Sequence, residues 1–184
     1  MAFRYEIRLS GSGGQGLILA GKILAEAAAI YDGKNATQSQ SYGPEARGGS
    51  SRSEVIISDE EVDYPKAVNI DLLLALTQEA CDKYTVGMKD TGTVIIDSQY
   101  VLKAPQGKFK VVALPITDIA VKEVGKAIVT NIVALGIITE LTKIVSVEAV
   151  EAAILSRVPK GTEELNMKAF RAGITEAQKA QTKQ

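Results

Sequence analysis

Apolar and polar positions along the chain follow two alternating patterns. Short apolar runs bounded by turn residues cover Tyr5 to Ser10, Ser53 to Ser58, Ile70 to Leu76, Thr93 to Ser98 and Lys110 to Leu114. These have the length and β-branched content of strands. Longer stretches with helical spacing cover Gly16 to Tyr31, Gln78 to Met88, Ile116 to Thr142, Val147 to Arg157 and Thr162 to Lys179. The alternation predicts an α/β domain, Rossmann-like and three-layered, with a largely parallel sheet and a helical C-terminal part. Ser146 is placed to cap one helix, with Glu148 in its first turn, and Thr162 to cap the next, followed by Glu163 and Glu164.

No repeat and no Pro- or Ser-rich linker divides the sequence, so residues 1–184 are expected to form a single domain. The stretch Thr37 to Arg52, TQSQSYGPEARGGSSR, reads as a long polar loop between a helix and a strand. Loops of that length in compact domains usually have a binding task. The polar tail from about Glu176 is expected to fray or to pack late. Ile128 to Leu141 is apolar beyond one helical face, which predicts burial on several sides, with a partner narrowly preferred to the chain's own core. Asn131 in that stretch must then bond backbone or a facing subunit.

Composition narrows the chemistry. The 184 residues are 46% hydrophobic and 23% charged, with 21 basic against 22 acidic side chains and a net charge of -1. No global field draws such a chain to nucleic acid or anionic lipid. There is no histidine, which excludes Ser-His-Asp triads, Cys-His pairs and most zinc sites. Cys81 is the one cysteine, so neither an internal disulfide nor a cluster held by four thiolates of this chain is possible, and the residue is expected as a small buried hydrophobe. No signal-peptide or membrane-span pattern is present, and a soluble, cytoplasmic location is expected. No residue is nominated as catalytic or as a metal ligand.

Two glycine-rich segments are candidate binding elements. Gly11-Ser12-Gly13-Gly14-Gln15-Gly16 fits G-x-G-x-x-G between a predicted strand and a predicted helix. Glycines allow the tight turn and the close approach of a phosphate, and the helix N-terminus favours an anion. Ser12 and Gln15 are candidates for side-chain hydrogen bonds. A tight turn with no ligand is the competing reading. An NAD site would need an acid about 20 residues on, near Ala36 and Thr37, where none stands; Asp32 reads equally well as a helix stop before Gly33. The second segment, Tyr42-Gly43-Pro44-Glu45-Ala46-Arg47-Gly48-Gly49, joins a stiff turn to a flexible one and presents Tyr42, Glu45, Arg47 and Arg52. Arg47 can grip a phosphate or carboxylate with two parallel hydrogen bonds, or merely pair with Glu45 at the surface.

SGSGGQG, QSQSYGPEARGG, SEVIISDEEVDYP and TNIVALG, in that order over nearly the whole chain, resemble the gamma subunit of 2-oxoacid:ferredoxin oxidoreductases, the 2-oxoglutarate enzymes in particular. The resemblance implies a hetero-oligomer that oxidatively decarboxylates a 2-oxoacid to its coenzyme A ester and passes electrons to ferredoxin. It implies alpha and beta subunits carrying thiamine diphosphate with Mg, a ferredoxin-like delta subunit, and 4Fe-4S clusters on those partners. This chain would be inactive alone. Gly11, Ser12, Gly13, Gly14, Gln15 and Gly16, with Tyr42, Glu45, Arg47, Gly48 and Gly49, would form half of a shared coenzyme A site, gripping its phosphates or shaping the active-site mouth where the subunits meet. Two rivals remain: a nucleotide-binding or scaffold module without a catalytic role, and an NAD-dependent dehydrogenase, the latter lacking both the ribose acid and a histidine proton donor.

Overall fold

The structure is a computed structural model that describes residues 3–42 and 49–183. Among these residues six strands form one sheet: β1 (Arg4–Ser12), β2 (Asn35–Tyr42), β3 (Ser50–Ser58), β4 (Ile70–Ala75), β5 (Met88–Asp97) and β6 (Lys110–Leu114). Their order is β2-β3-β1-β4-β5-β6, and β3 alone runs against its neighbours. The expected α/β fold with a mostly parallel sheet is therefore present. The helices are α1 (Leu17–Glu26, continued by a wider turn over Ala27–Tyr31), α2 (Gln78–Tyr84), α3 (Ile116–Ile119), α4 (Thr130–Thr142), α5 (Val147–Arg157) and α6 (Glu163–Thr182).

The two-residue period of the strands explains the layers. Ile7 and Leu9 of β1, with Leu72 and Leu74 of β4, point into the main core beneath α1, α4, α5 and α6. Leu73, Ala75, Val94 and Ile96 point the other way, onto Ala80, Cys81 and Tyr84 of α2. Cys81 is buried there as expected, and burial pushes its thiol pKa up. Ser146 caps α5, its hydroxyl accepting from the Ala149 amide at 3.1 Å.

Several expectations need correction. The region read as one long loop contains β2, which pairs with β3 along its whole length, leaving only the connection from 43 to 49. β2 is an edge strand of Thr, Gln and Ser with no apolar alternation to betray it. The long helix from Ile116 is broken where Gly125 turns left-handed (φ 84) and Lys126 is extended, and it restarts through a short turn over Ala127–Val129. Thr162 does not cap α6; its hydroxyl donates to the Pro159 carbonyl instead. Of the two readings of the tail from Glu176, fraying is the one overturned: α6 continues to Thr182 and Ala177 is fully buried.

α4 needs no partner to cover it. Every residue from Thr130 to Glu140 is buried within this chain. It crosses α6 at Gly136 and Gly173, where a Cβ on either would overlap the backbone carbonyl of Phe170 or Val133. The partner reading of that stretch gives way to a central core helix.

Candidate functional site

β1 lies where the chain changes direction across the sheet, with β4, β5 and β6 to one side and β3 and β2 to the other. In open α/β sheets ligands bind beyond the carboxyl ends of the strands at such a point. The Gly11–Gly16 turn occupies that position. Gly11 and Ser12 still belong to β1 and pair with Ser51 and Ser50 of β3. Gly14 (φ 86) and Gly16 (φ 73) supply the left-handed conformations that close the turn.

Side chains lock the turn from both sides. The Gln15 Oε1 accepts from the Ser12 amide at 2.7 Å, folding over Gly11, where a Cβ would collide with it. The Asn131 Nδ2 donates to the Gly16 carbonyl at 3.0 Å, the backbone bond expected for this buried amide. A Cβ on Gly16 would run into that same amide. Gln15 is thus first a brace for the turn. Asn131 is a positioning residue at the site, 115 residues away in sequence.

The helix N-termini at this edge differ. At α2, the Thr77 hydroxyl accepts from the Ala80 amide, with Glu79 in the first turn. At α3, the buried Asp97 accepts from the Thr117 amide at 3.0 Å and hydroxyl at 2.7 Å. At α1, Gly16 offers no side chain and the first turn holds no acid. Its first-turn amides have no intrahelical acceptors, so this is the end where partial positive charge meets solvent.

The two glycine segments meet here. The Gly13 amide donates to the Gly49 carbonyl at 3.0 Å, joining the end of the second segment to the middle of the first. Gly43, Pro44, Glu45, Ala46, Arg47 and Gly48 lie outside the described residues, as does the side chain of Tyr42. Three clefts open around Gly14. One of ≈ 360 Å³ runs along Ser12 to Ile18 and Ser51. Another of ≈ 380 Å³ reaches Tyr100, Thr117 and Thr130. The third, ≈ 310 Å³ and largely apolar, lies between Leu19, Val158 and Leu165, with Asn131, Thr162 and Asn166 as its polar side chains. Ile128, 77% exposed, stands between the second and the third.

Residues 6–176 match the family described as pyruvate ferredoxin/flavodoxin oxidoreductase. The chain belongs to that family. It is similar to the 2-oxoglutarate synthase subunit KorC of Methanocaldococcus jannaschii, 55% identical over 172 residues and 92% of each chain. Among solved structures it is similar to the gamma subunit of a keto/oxoacid ferredoxin oxidoreductase from Geobacter sulfurreducens, with 58% identity, a TM-score of 0.85 and coverage of 94% of this chain and 98% of that one. It also matches a chain of the 2-oxoglutarate:ferredoxin oxidoreductase of Magnetococcus marinus, solved with 2-oxoglutarate, coenzyme A and succinyl-CoA bound. That likeness, at 23% identity and a TM-score of 0.83, covers 95% of this chain but 31% of the other and speaks for the fold alone.

For a member of this family the NAD reading weakens further. β2 contains no acidic residue, and β3 separates it from β1. Asp32 is engaged elsewhere: its carboxylate accepts from the Ser146 amide and hydroxyl, both at 2.7 Å. Sequence reasoning missed two polar residues at the edge. Lys83 at the end of α2 reaches the Ser50 hydroxyl at 3.3 Å, and Asp97 fixes Thr117. Their one sequence signal was position, close to the carboxyl ends of predicted strands or in the last turn of a predicted helix.

Among the described residues no group of acids, cysteine or histidine is arranged to hold a metal ion, and no helix is long and apolar enough to cross a membrane.

Proposed function

We propose that this chain is the gamma subunit of a 2-oxoglutarate:ferredoxin oxidoreductase and that the carboxyl edge of its sheet contributes half of the coenzyme A site. The observation that supports the reading is the uncapped N-terminus of α1 beside the Gly13–Gly49 hydrogen bond, which brings the last residue of the second segment to an anion-favouring helix end. The diphosphate would lie against the Gly13 to Leu17 backbone. The ≈ 310 Å³ cleft has the apolar walls and few amides that suit a pantetheine arm. Coenzyme A supplies the thiol that takes the acyl group; this chain's part is to bind and orient it. Tyr42, Glu45, Arg47 and Gly48 of the second segment would complete the grip.

Thiamine diphosphate with Mg, and the 4Fe-4S clusters, belong in this reading to alpha, beta and delta partners, with ferredoxin as electron acceptor. A chain with one cysteine and no histidine has no ligand set for such clusters. A cytoplasmic location follows the same reading.

The test uses the assembled complex. Arg47→Ala is expected to raise the KM for coenzyme A by roughly tenfold, the worth of one charge-assisted pair, while the KM for 2-oxoglutarate stays put. Omission of the chain should abolish 2-oxoglutarate-dependent viologen reduction, and the chain alone should show none. Unchanged turnover on omission would favour the scaffold reading; an unchanged coenzyme A KM in the Arg47 variant would remove the site.

A further inference from the structure

A concentration of positive charge lies on the α2 face of the sheet, one strand pair from the glycine turn. Arg52 on β3 holds its guanidinium 5.3 Å from the centre of the Tyr84 ring, and Lys83 holds its ammonium 5.5 Å from the same centre. Lys83 also reaches the Ser50 hydroxyl. Ser50 is the register partner of Ser12, so the lysine ends beside the glycine turn, on the far side of the sheet from α1.

Counter-charge is short here. Glu54 is the nearby carboxylate, and it is shared: its Oε2 meets the buried Arg8 at 3.0 Å, and its Oε1 lies 3.5 Å from Arg52. Arg8 is further bound by the carbonyls of Tyr84 and Val86. The Arg52 Nε faces that Glu54 oxygen as an ion pair without a hydrogen bond, and no carboxylate among the described residues lies within ion-pair distance of Lys83. Among the described residues, three cations thus face one carboxylate. Attraction to one aromatic ring is a weak counterweight to that excess of positive charge. Lys83 is exposed and the Arg52 side chain is 34% exposed, so both cations stand open to an anion from solvent.

We propose that Lys83, Arg52 and Ser50 form a second anion subsite, which takes the phosphomonoester group of the nucleotide whose diphosphate lies on the glycine turn. The assignment rests on the coenzyme A reading above. A dianionic phosphomonoester suits two cationic side chains and a hydroxyl, whereas backbone amides at a glycine turn suit a diphosphate. In coenzyme A one ribose separates the two groups, a span comparable to the ~5 Å between neighbouring strands. A ligand laid across the ends of β1 and β3 would therefore meet both subsites.

Coenzyme A and dephospho-coenzyme A, which lacks that phosphomonoester, separate the subsites in the assembled complex. The native complex is expected to favour coenzyme A in KM by roughly tenfold, the worth of one charge-assisted pair. Lys83→Gln, at an exposed position, should erase that preference by raising the coenzyme A KM alone. Lys83→Arg should keep it, and Arg52→Gln should reduce it. A preference that survives Lys83→Gln intact, or KM values for both thiols that rise equally, overturns the assignment. A second readout uses the full chain without its partners: adenosine 3′,5′-bisphosphate should raise the Tm of the native chain and not that of Lys83→Gln. Equal protection of both overturns the subsite. Protection that depends on Lys83, in a complex whose coenzyme A KM ignores glycine-turn variants, upholds the anion subsite and refutes the coenzyme A reading alone.

Discussion

The two ends of the sheet are built on opposite principles. At the amino end polar groups are bonded to one another. Glu6, 3% exposed, accepts from the amides of Val68 and Asn69 and from Arg4. Asp32 holds Ser146, and Lys34 donates to the Ile144 carbonyl. At the carboxyl end the α1 N-terminus has no side-chain cap, Arg52 shares Glu54 with Arg8, and Lys83 has a hydroxyl but no carboxylate within reach among the described residues. The closed end is where changes should cost stability. The open end is where they should cost ligand.

The largest effect is expected from Glu6→Ala, which strands two backbone amides and an arginine. Its cost is about 3–5 kcal/mol, read as a fall in Tm of roughly 10 °C, with the coenzyme A KM of the assembled complex unmoved. Gly16→Ala is the contrasting change. A Cβ there is strained by the positive φ and collides with Asn131. The stability cost is about 1–2 kcal/mol. Displacement of the turn should raise the coenzyme A KM by roughly tenfold or more. A KM change from Glu6→Ala, or none from Gly16→Ala, breaks the division between the ends.

Asp32→Ala removes the two bonds to Ser146 and loosens the α5 cap. It is expected to cost about 1–2 kcal/mol, a Tm shift of roughly 4 °C, again without effect on KM. The last effect, confined to alkaline pH, concerns Tyr5. Burial, and then the nearby Asp71 carboxylate, push its phenol up to about 12 from 10.0. Below pH 10 both states keep the proton. Between 10 and 12 the unfolded chain loses it first, so stability falls as pH rises through that window. Denaturant titrations of Tyr5→Phe should show a shallower decline there than the native chain, and parallel curves would refute the assignment.

What the sequence disclosed follows the same divide. Buried elements announce themselves by period: the Ile7–Leu9 and Leu72–Leu74 alternation and the aliphatic α4 were legible because one or both faces lie in the core. β2 was not, since an edge strand of Thr, Gln and Ser buries little and carries no pattern. The helix break at Gly125 hid inside a continuous helical period. The glycine turn was legible from spacing alone, but what holds it was not. Gln15 bracing Ser12, Asn131 holding Gly16 and Gly49 meeting Gly13 are tertiary facts. The helix assigned to a partner proved to be covered by α6, because two glycines bring the helices close enough for the chain to bury it unaided.

The claim that coenzyme A lies on the open end is tested most directly by amide hydrogen exchange over Gly13 to Ile18 in the assembled complex, with and without coenzyme A. Exchange in that segment should slow on addition of the ligand, while the Asp32 to Lys34 turn at the closed end should not change. Protection elsewhere in the complex, with the Gly13 to Ile18 amides unaffected, would contradict the account.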